Sequence, residues 1–133
     1  MESCFRMVKG SQMAGANDAF RVEVSGGTLI ISPVGDINSL SAELLDEAAA
    51  MMAELIEAHE SPMLVLDLCG VPSCSSLFMS FLLRCHKAVK LRGGEMVLCS
   101  ASKMLLELLH LTRLDTVWAV YKTRSEALDA VDG

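Results

Sequence analysis

The chain lacks any strongly basic stretch. It holds 11 Lys and Arg against 17 Asp and Glu, a formal net charge of −6. Gripping a nucleic-acid backbone needs clustered cations, so that class of partner is not expected. Aromatic residues make up only 5% of the chain, too few for base-stacking platforms. No apolar run approaches the ~20 residues of a membrane span, and the first residues hold none of signal-peptide length. There is no Gly-rich phosphate loop of the P-loop or dinucleotide type, no repeat and no heptad pattern. The five cysteines, Cys4, Cys69, Cys74, Cys85 and Cys99, form no Cys-x-x-Cys pair. An odd count of thiols, mostly inside apolar patterns, argues against a disulfide framework and for a reducing, cytoplasmic setting. No cofactor or metal is expected.

What is present is a globular composition: 52% apolar and 21% charged residues over 133 positions, enough to bury one core. The apolar share is slightly high, which points to some apolar surface kept for a partner. Residues 1–18 are patternless and read as a disordered tail, leaving 19–133 as a single domain. Phe20 to Val24 alternates as a half-buried strand, Gly26-Gly27 turns it, and Thr28 to Val34 returns as a hairpin. Leu40 to Ala58 has helical spacing, with Ser39 or Ser41 as its cap. Met63 to Leu68 is an apolar run suited to a strand buried on both faces. A turn-rich segment then leads to Ser75-Ser76 and a long apolar helix that Gly93-Gly94 stops. Glu95 to Cys99 is a further strand and Lys103 to Leu111 a helix. Thr116 to Val120 reads as a short last strand. The final helix has a capping box at Thr123 and Glu126. A hairpin followed by alternating strands and helices implies an α/β fold, a mixed sheet with helices packed on it. Right-handed crossovers put the helices that follow the second and third core strands on one face.

The chemistry concentrates at Ser75-Ser76, where a strand and a loop deliver two hydroxyls to the positive end of a helix. They can be plain N-caps or modification sites. Phe78, Leu82, Cys85 and Val89 form one apolar stripe of that helix, and Leu77, Met79, Phe81 and Leu83 fall on other faces. A helix so apolar at one end is deeply buried, docks a partner or forms a dimer. Catalytic pairs are not apparent. Cys85 and His86 are adjacent and diverge, and His59 and His110 read as surface or cap residues. Cys69 and Cys74 flank the loop as structural thiols or, less readily, as a metal or redox pair. Asp67 reads as a strand-end carboxylate bonded to loop N–H groups, and Asp36 and Asn38 as loop acceptors.

These features resemble the STAS domain of bacterial anti-sigma factor antagonists. Val22-Glu23-Val24 through Gly35-Asp36-Ile37-Asn38 is similar to that family's hairpin and following loop. Leu66-Asp67-Leu68-Cys69-Gly70-Val71 looks like its Leu-Asp-Leu-Ser-x-Val strand end. Ser75-Ser76 with Leu82-Leu83-Arg84, Arg92-Gly93-Gly94 before Val97-Leu98, and Leu109 to Tyr121 with Ala127-Leu128 continue the likeness. It covers roughly Phe20 to Val131.

The family's loop reads Asp-Ser-Ser-Gly, and its first serine is phosphorylated by a kinase that is also an anti-sigma factor. Counting back from Leu82-Leu83 sets that serine on Ser76, with Ser75 as the alternative. Ser75, Leu77, Phe78 and Asn38 stand where the family has Asp, Ser, Gly and Asp. The resemblance implies a non-catalytic regulatory module. It would bind a serine-kinase partner through Asp36, Asn38, Ser75, Ser76, Leu77, Phe78 and Met79. A STAS-type scaffold or homodimer without the switch is the alternative.

Overall fold

The computed structural model describes residues 20–25, 27–34 and 41–132. The tail at 1–18, Gly26 of the expected turn, and the loop carrying Asp36 and Asn38 lie outside the described residues. Five strands form one mixed sheet in the order β1-β2-β3-β4-β5: β1 (Phe20–Ser25), β2 (Thr28–Pro33), β3 (Met63–Asp67), β4 (Glu95–Cys99) and β5 (Ala119–Tyr121). β1 pairs antiparallel with β2, and each later neighbour is parallel. The helices are α1 (Ala42–Glu57), α2 (Ser76–Leu91), α3 (Lys103–Leu111) and α4 (Arg124–Asp132).

The central strands are apolar at nearly every position because both faces are covered. Their two side-chain sets separate cleanly. Leu29, Ile31, Leu64, Leu66, Met96 and Leu98 join the large core beneath α1, α2 and α3. Ile30, Val65, Val97 and Cys99 join a smaller cluster with Ala127, against which Leu128 and Val131 of α4 pack. The helices after β2, β3 and β4 therefore share one face, as right-handed crossovers require, and the terminal helix covers the other.

Serine caps begin three helices. The hydroxyls of Ser41, Ser75 and Ser102 accept from the amides of Leu44, Phe78 and Leu105 at 3.1–3.2 Å. α2 ends in a Schellman turn, in which Gly93 N–H donates to Lys90 O at 3.0 Å and Gly94 N–H to Val89 O at 2.9 Å. Gly93 has φ +77, so glycine is required there, and a Cβ on Gly94 would lie 1.9 Å from Pro62 O.

The last strand departs from expectation. Thr116 to Val120 does not form it: Leu114–Thr116 is a 3-10 turn and β5 starts at Ala119. The amides of Val117 and Trp118 donate back to Leu114 O at 3.0 Å, which turns the Trp118 side chain into the core before the strand can begin. The polar position of β1 also differs from the half-buried pattern. Arg21 is exposed, but Glu23 is buried.

Candidate functional site

β3 stops where its hydrogen bonding changes hands. Leu68 N–H still donates to Cys99 O at 2.9 Å, and Cys69 N–H instead donates to Asp67 Oδ1 at 3.1 Å. Gly70, at φ +87, and the bond from Val71 N–H to Leu68 O at 3.0 Å then turn the chain back, and Val71 plugs into the core. The Ser102 hydroxyl donates to Pro72 O at 3.1 Å, which ties the loop to the start of α3. So the loop that presents Ser75 and Ser76 is held at both shoulders.

Ser75 is the N-cap of α2, in extended geometry, and Ser76 is its first helical residue and exposed. Capping therefore falls to Ser75, and the Ser76 hydroxyl stands at the positive end of the helix without serving as the cap. No acidic residue occupies the first turn. Leu77 and Leu83 are 44% and 43% exposed on the same helix. A small, partly enclosed cleft of about 60 Å³ lies between α1 and α2, lined by Leu45, Asp46, Leu77, Ser80, Phe81 and Arg84 together with Ala42. Its size suits one inserted side chain of a partner better than a small-molecule ligand.

Two expected site residues lie outside the described residues, Asp36 and Asn38. Ser75, Ser76 and Leu77 sit together at the head of α2. Met79 is half-buried against the core. Phe78 is a correction: its ring is fully buried and stacks on Phe81 at 5.9 Å, so it anchors the helix and is not available to a partner. The three-residue step from Ser75 turns it inward, along the stripe that also holds Leu82, Cys85 and Val89.

Asp67 does accept a loop amide, but with one oxygen only. Its other oxygen accepts from Arg124 Nε at 2.9 Å. The same guanidinium donates to both Glu23 oxygens at 2.9 and 3.1 Å and to the Ser32 hydroxyl at 3.0 Å. Burial alone would lower the Arg124 guanidinium, yet the hydrogen bonds to Asp67 and Glu23 hold it above its ordinary value. This clamp stitches α4 to β1, β2 and β3, and through Asp67 it reaches the serine loop. Reading the sequence missed it, because no local pattern points from Arg124 to strands so far back.

The histidines and the buried thiols are engaged in the fold. His86 Nδ1 accepts from the buried Trp118 indole at 2.8 Å, His59 Nδ1 lies 2.9 Å from Leu55 O, and His110 pairs with Asp115 at 3.0 Å. Burial pushes the Cys85 thiol up to about 12 and those of Cys74 and Cys99 to about 11, the opposite of an activated nucleophile. No group of three or more metal-binding side chains occurs among the described residues, and no described helix is long and apolar enough to cross a membrane.

Comparison with known proteins agrees with this geometry. The STAS domain family model matches residues 19–127. An anti-sigma-factor antagonist (STAS) domain protein from Planctomyces limnophilus superimposes with a TM-score of 0.75 at 29% identity, covering 86% of this chain and 98% of that one. An anti-sigma factor antagonist from Mycobacterium paratuberculosis gives 0.69 at 26%, covering 86% and 93%. The Bacillus cell fate determinant SpoIIAA in its phosphorylated form gives 0.67 at 19%, covering 85% and 99%, a likeness of fold alone. A search of curated protein sequences finds no match.

Proposed function

This chain belongs to the STAS domain family, and on that premise we propose that it is a non-catalytic binding module for a serine-kinase or anti-sigma partner, switched at Ser76. The observation that carries this reading is the division of labour at α2. Ser75 caps the helix, and Ser76 is exposed beside the exposed Leu77. A phosphoryl group on Ser76 would add about −1.5 to −2 charge. The helix N-terminus can accept that charge without refolding. A partner seated on Leu77 and Leu83 would then meet a dianion in place of a neutral hydroxyl. Like-charge contact or desolvation of that dianion releases it. SpoIIAA, which shares the fold, has been solved in a phosphorylated form. Such a switch operates in the bacterial cytoplasm, where ATP-dependent kinases work.

The test pairs Ser76→Asp with Ser76→Ala and a co-expressed anti-sigma kinase. Ser76→Asp should abolish capture of the kinase with the melting temperature nearly unchanged, and Ser76→Ala should keep it. Equal capture by Ser76→Asp and the parent overturns the switch. One observation favours a second reading, a STAS scaffold without phosphorylation: the buried Phe78 stands where the family carries Gly. A stable complex whose intact mass shows no phosphate on Ser76 selects it.

A further inference from the structure

β1 runs opposite to the other strands, so its first residue lies at the end of the sheet where β2 and β3 finish. Phe20 pairs with Pro33, the last residue of β2, and the same end carries the serine loop and the head of α2. The Phe20 ring is buried and stacks on Phe81 at 4.9 Å. Phe81 in turn lines the cleft of about 60 Å³ between α1 and α2. The chain ahead of Phe20 is therefore delivered one side chain away from that cleft. Residues 1–18 also precede the region, 19–127, that the STAS family model matches, so the fold itself does not call for them.

The cleft is apolar within and short of cations at its rim. Leu45 and Phe81 are buried, and Leu77 is exposed beside them. α1 carries Glu43, Asp46, Glu47, Glu54 and Glu57 and no Lys or Arg. Arg84 of α2 already bonds Asp46. Glu43 and Glu47, on the same first two turns of α1, are exposed, and no ion pair engages either among the described residues. Residues 1–18 supply what is missing. They hold one run of apolar and basic residues, Phe5-Arg6-Met7-Val8-Lys9, followed by mostly small and polar ones from Gly10 to Asp18. Arg6 and Lys9 are the only Lys or Arg of that segment.

We propose that residues 5–9 of this chain dock back on the heads of α1 and α2. An apolar side chain of Phe5, Met7 or Val8 enters the cleft beside Leu77, and Arg6 and Lys9 meet Glu43 and Glu47. Fifteen positions separate Phe5 from Phe20. A linker of that length spans about 21 Å, and climbing past one helix takes about 10 Å. The tether reaches, and it holds the segment at an effective concentration near millimolar, so a contact too weak for a separate peptide suffices. The chain is then the first occupant of the surface beside Ser76, and a partner that binds there must displace it. The inference stands without the Ser76 switch, because it rests on the cleft and on where the chain enters the sheet.

A nitroxide on Cys4, next to the segment, tests it in the full chain by nuclear magnetic resonance. Cys69→Ser/Cys74→Ser removes the exposed and half-buried thiols, and Cys85 and Cys99 are buried. The amide signals of Asp46, Leu77, Ser80 and Arg84 should lose most of their intensity and recover it when the nitroxide is reduced. Signals of α4, on the other face of the sheet, should keep theirs. Phe5→Ser/Met7→Ser/Val8→Ser and Arg6→Glu/Lys9→Glu should each abolish the localised loss. Mixing the nitroxide-bearing chain, without isotope, with an isotope-labelled chain that lacks the nitroxide should broaden nothing. Broadening in that mixture makes a second copy the occupant and overturns the proposal. So does broadening spread evenly over the surface, broadening centred on Leu106 and Leu111 of α3, or a localised loss that both sets of substitutions leave intact. If Cys69→Ser/Cys74→Ser fails to fold, chains with every native thiol decide: Phe5→Ser/Met7→Ser/Val8→Ser should shift the amide signals of Asp46, Leu77 and Ser80 and leave α4 in place, and unmoved signals overturn the proposal.

Discussion

On one side of the sheet, α1 and α2 hold their charges in water; on the other, Arg124 draws two carboxylates into a nearly closed space. The Arg84–Asp46 pair has side chains 50% and 68% exposed. Arg124 is 33% exposed, and its partners Glu23 and Asp67 only 11% and 10%. The chemistry is the same, an arginine on carboxylates, and the surroundings decide what each pair does. The open pair is screened and contributes little, so that surface can change partners at small cost to the fold. The closed cluster fixes where α4 sits, and removing its cation leaves two buried charges unmatched.

Breaking the closed side should have the largest effect. Arg124→Met should lower unfolding stability by about 3 kcal/mol, a figure reduced for the partial exposure of the guanidinium. The denaturation midpoint measures it, and a loss like that of an exposed pair would erase the contrast between the two faces. An alkaline titration comes next and samples both sides, since Cys85 is on the buried face of α2 and Cys99 lies under α4. Burial raises both thiols above their ordinary 9.0, so the unfolded chain loses these protons first. Stability is then full below pH 9 and falls as pH climbs toward 11–12, by about 1 kcal/mol per thiol at pH 10. Cys74 is raised in the same way, so Cys85→Ala and Cys99→Ala should each remove about a third of that slope. Ser75→Ala removes the α2 cap and should cost about 1 kcal/mol in the same assay. The smallest change belongs to Arg84→Ala, expected at about 0.5 kcal/mol or less and fading in high salt.

Much of the architecture could be read from local pattern. Glu95 to Cys99 and Lys103 to Leu111 form as expected because an apolar run bounded by Gly or Ser leaves little choice of element. Ser75 caps α2 because a hydroxyl one residue ahead of an apolar helix satisfies amides that nothing else reaches. What local pattern could not reveal came from distant partners. Glu23 looks like a solvent-facing residue of an alternating strand until α4 arrives from 101 positions later and covers it. Trp118 sits in a stretch with strand propensity, but its indole finds His86, 32 positions away, and the backbone turns to let it. Phe78 looked available beside the serines, and packing against Phe81 removed it.

The sequence by itself determined the order of elements, the caps and the serine at the head of an apolar helix, because these depend on side chains within a few positions of one another. Only the tertiary structure decided which charges are sealed and which are offered. Burial is a property of the packed layers. Until α4 closes over β1 to β3, Glu23 and Asp67 are surface carboxylates like any others. Until α1 and α2 lie side by side, their opposite charges are two separate compositions and not one surface.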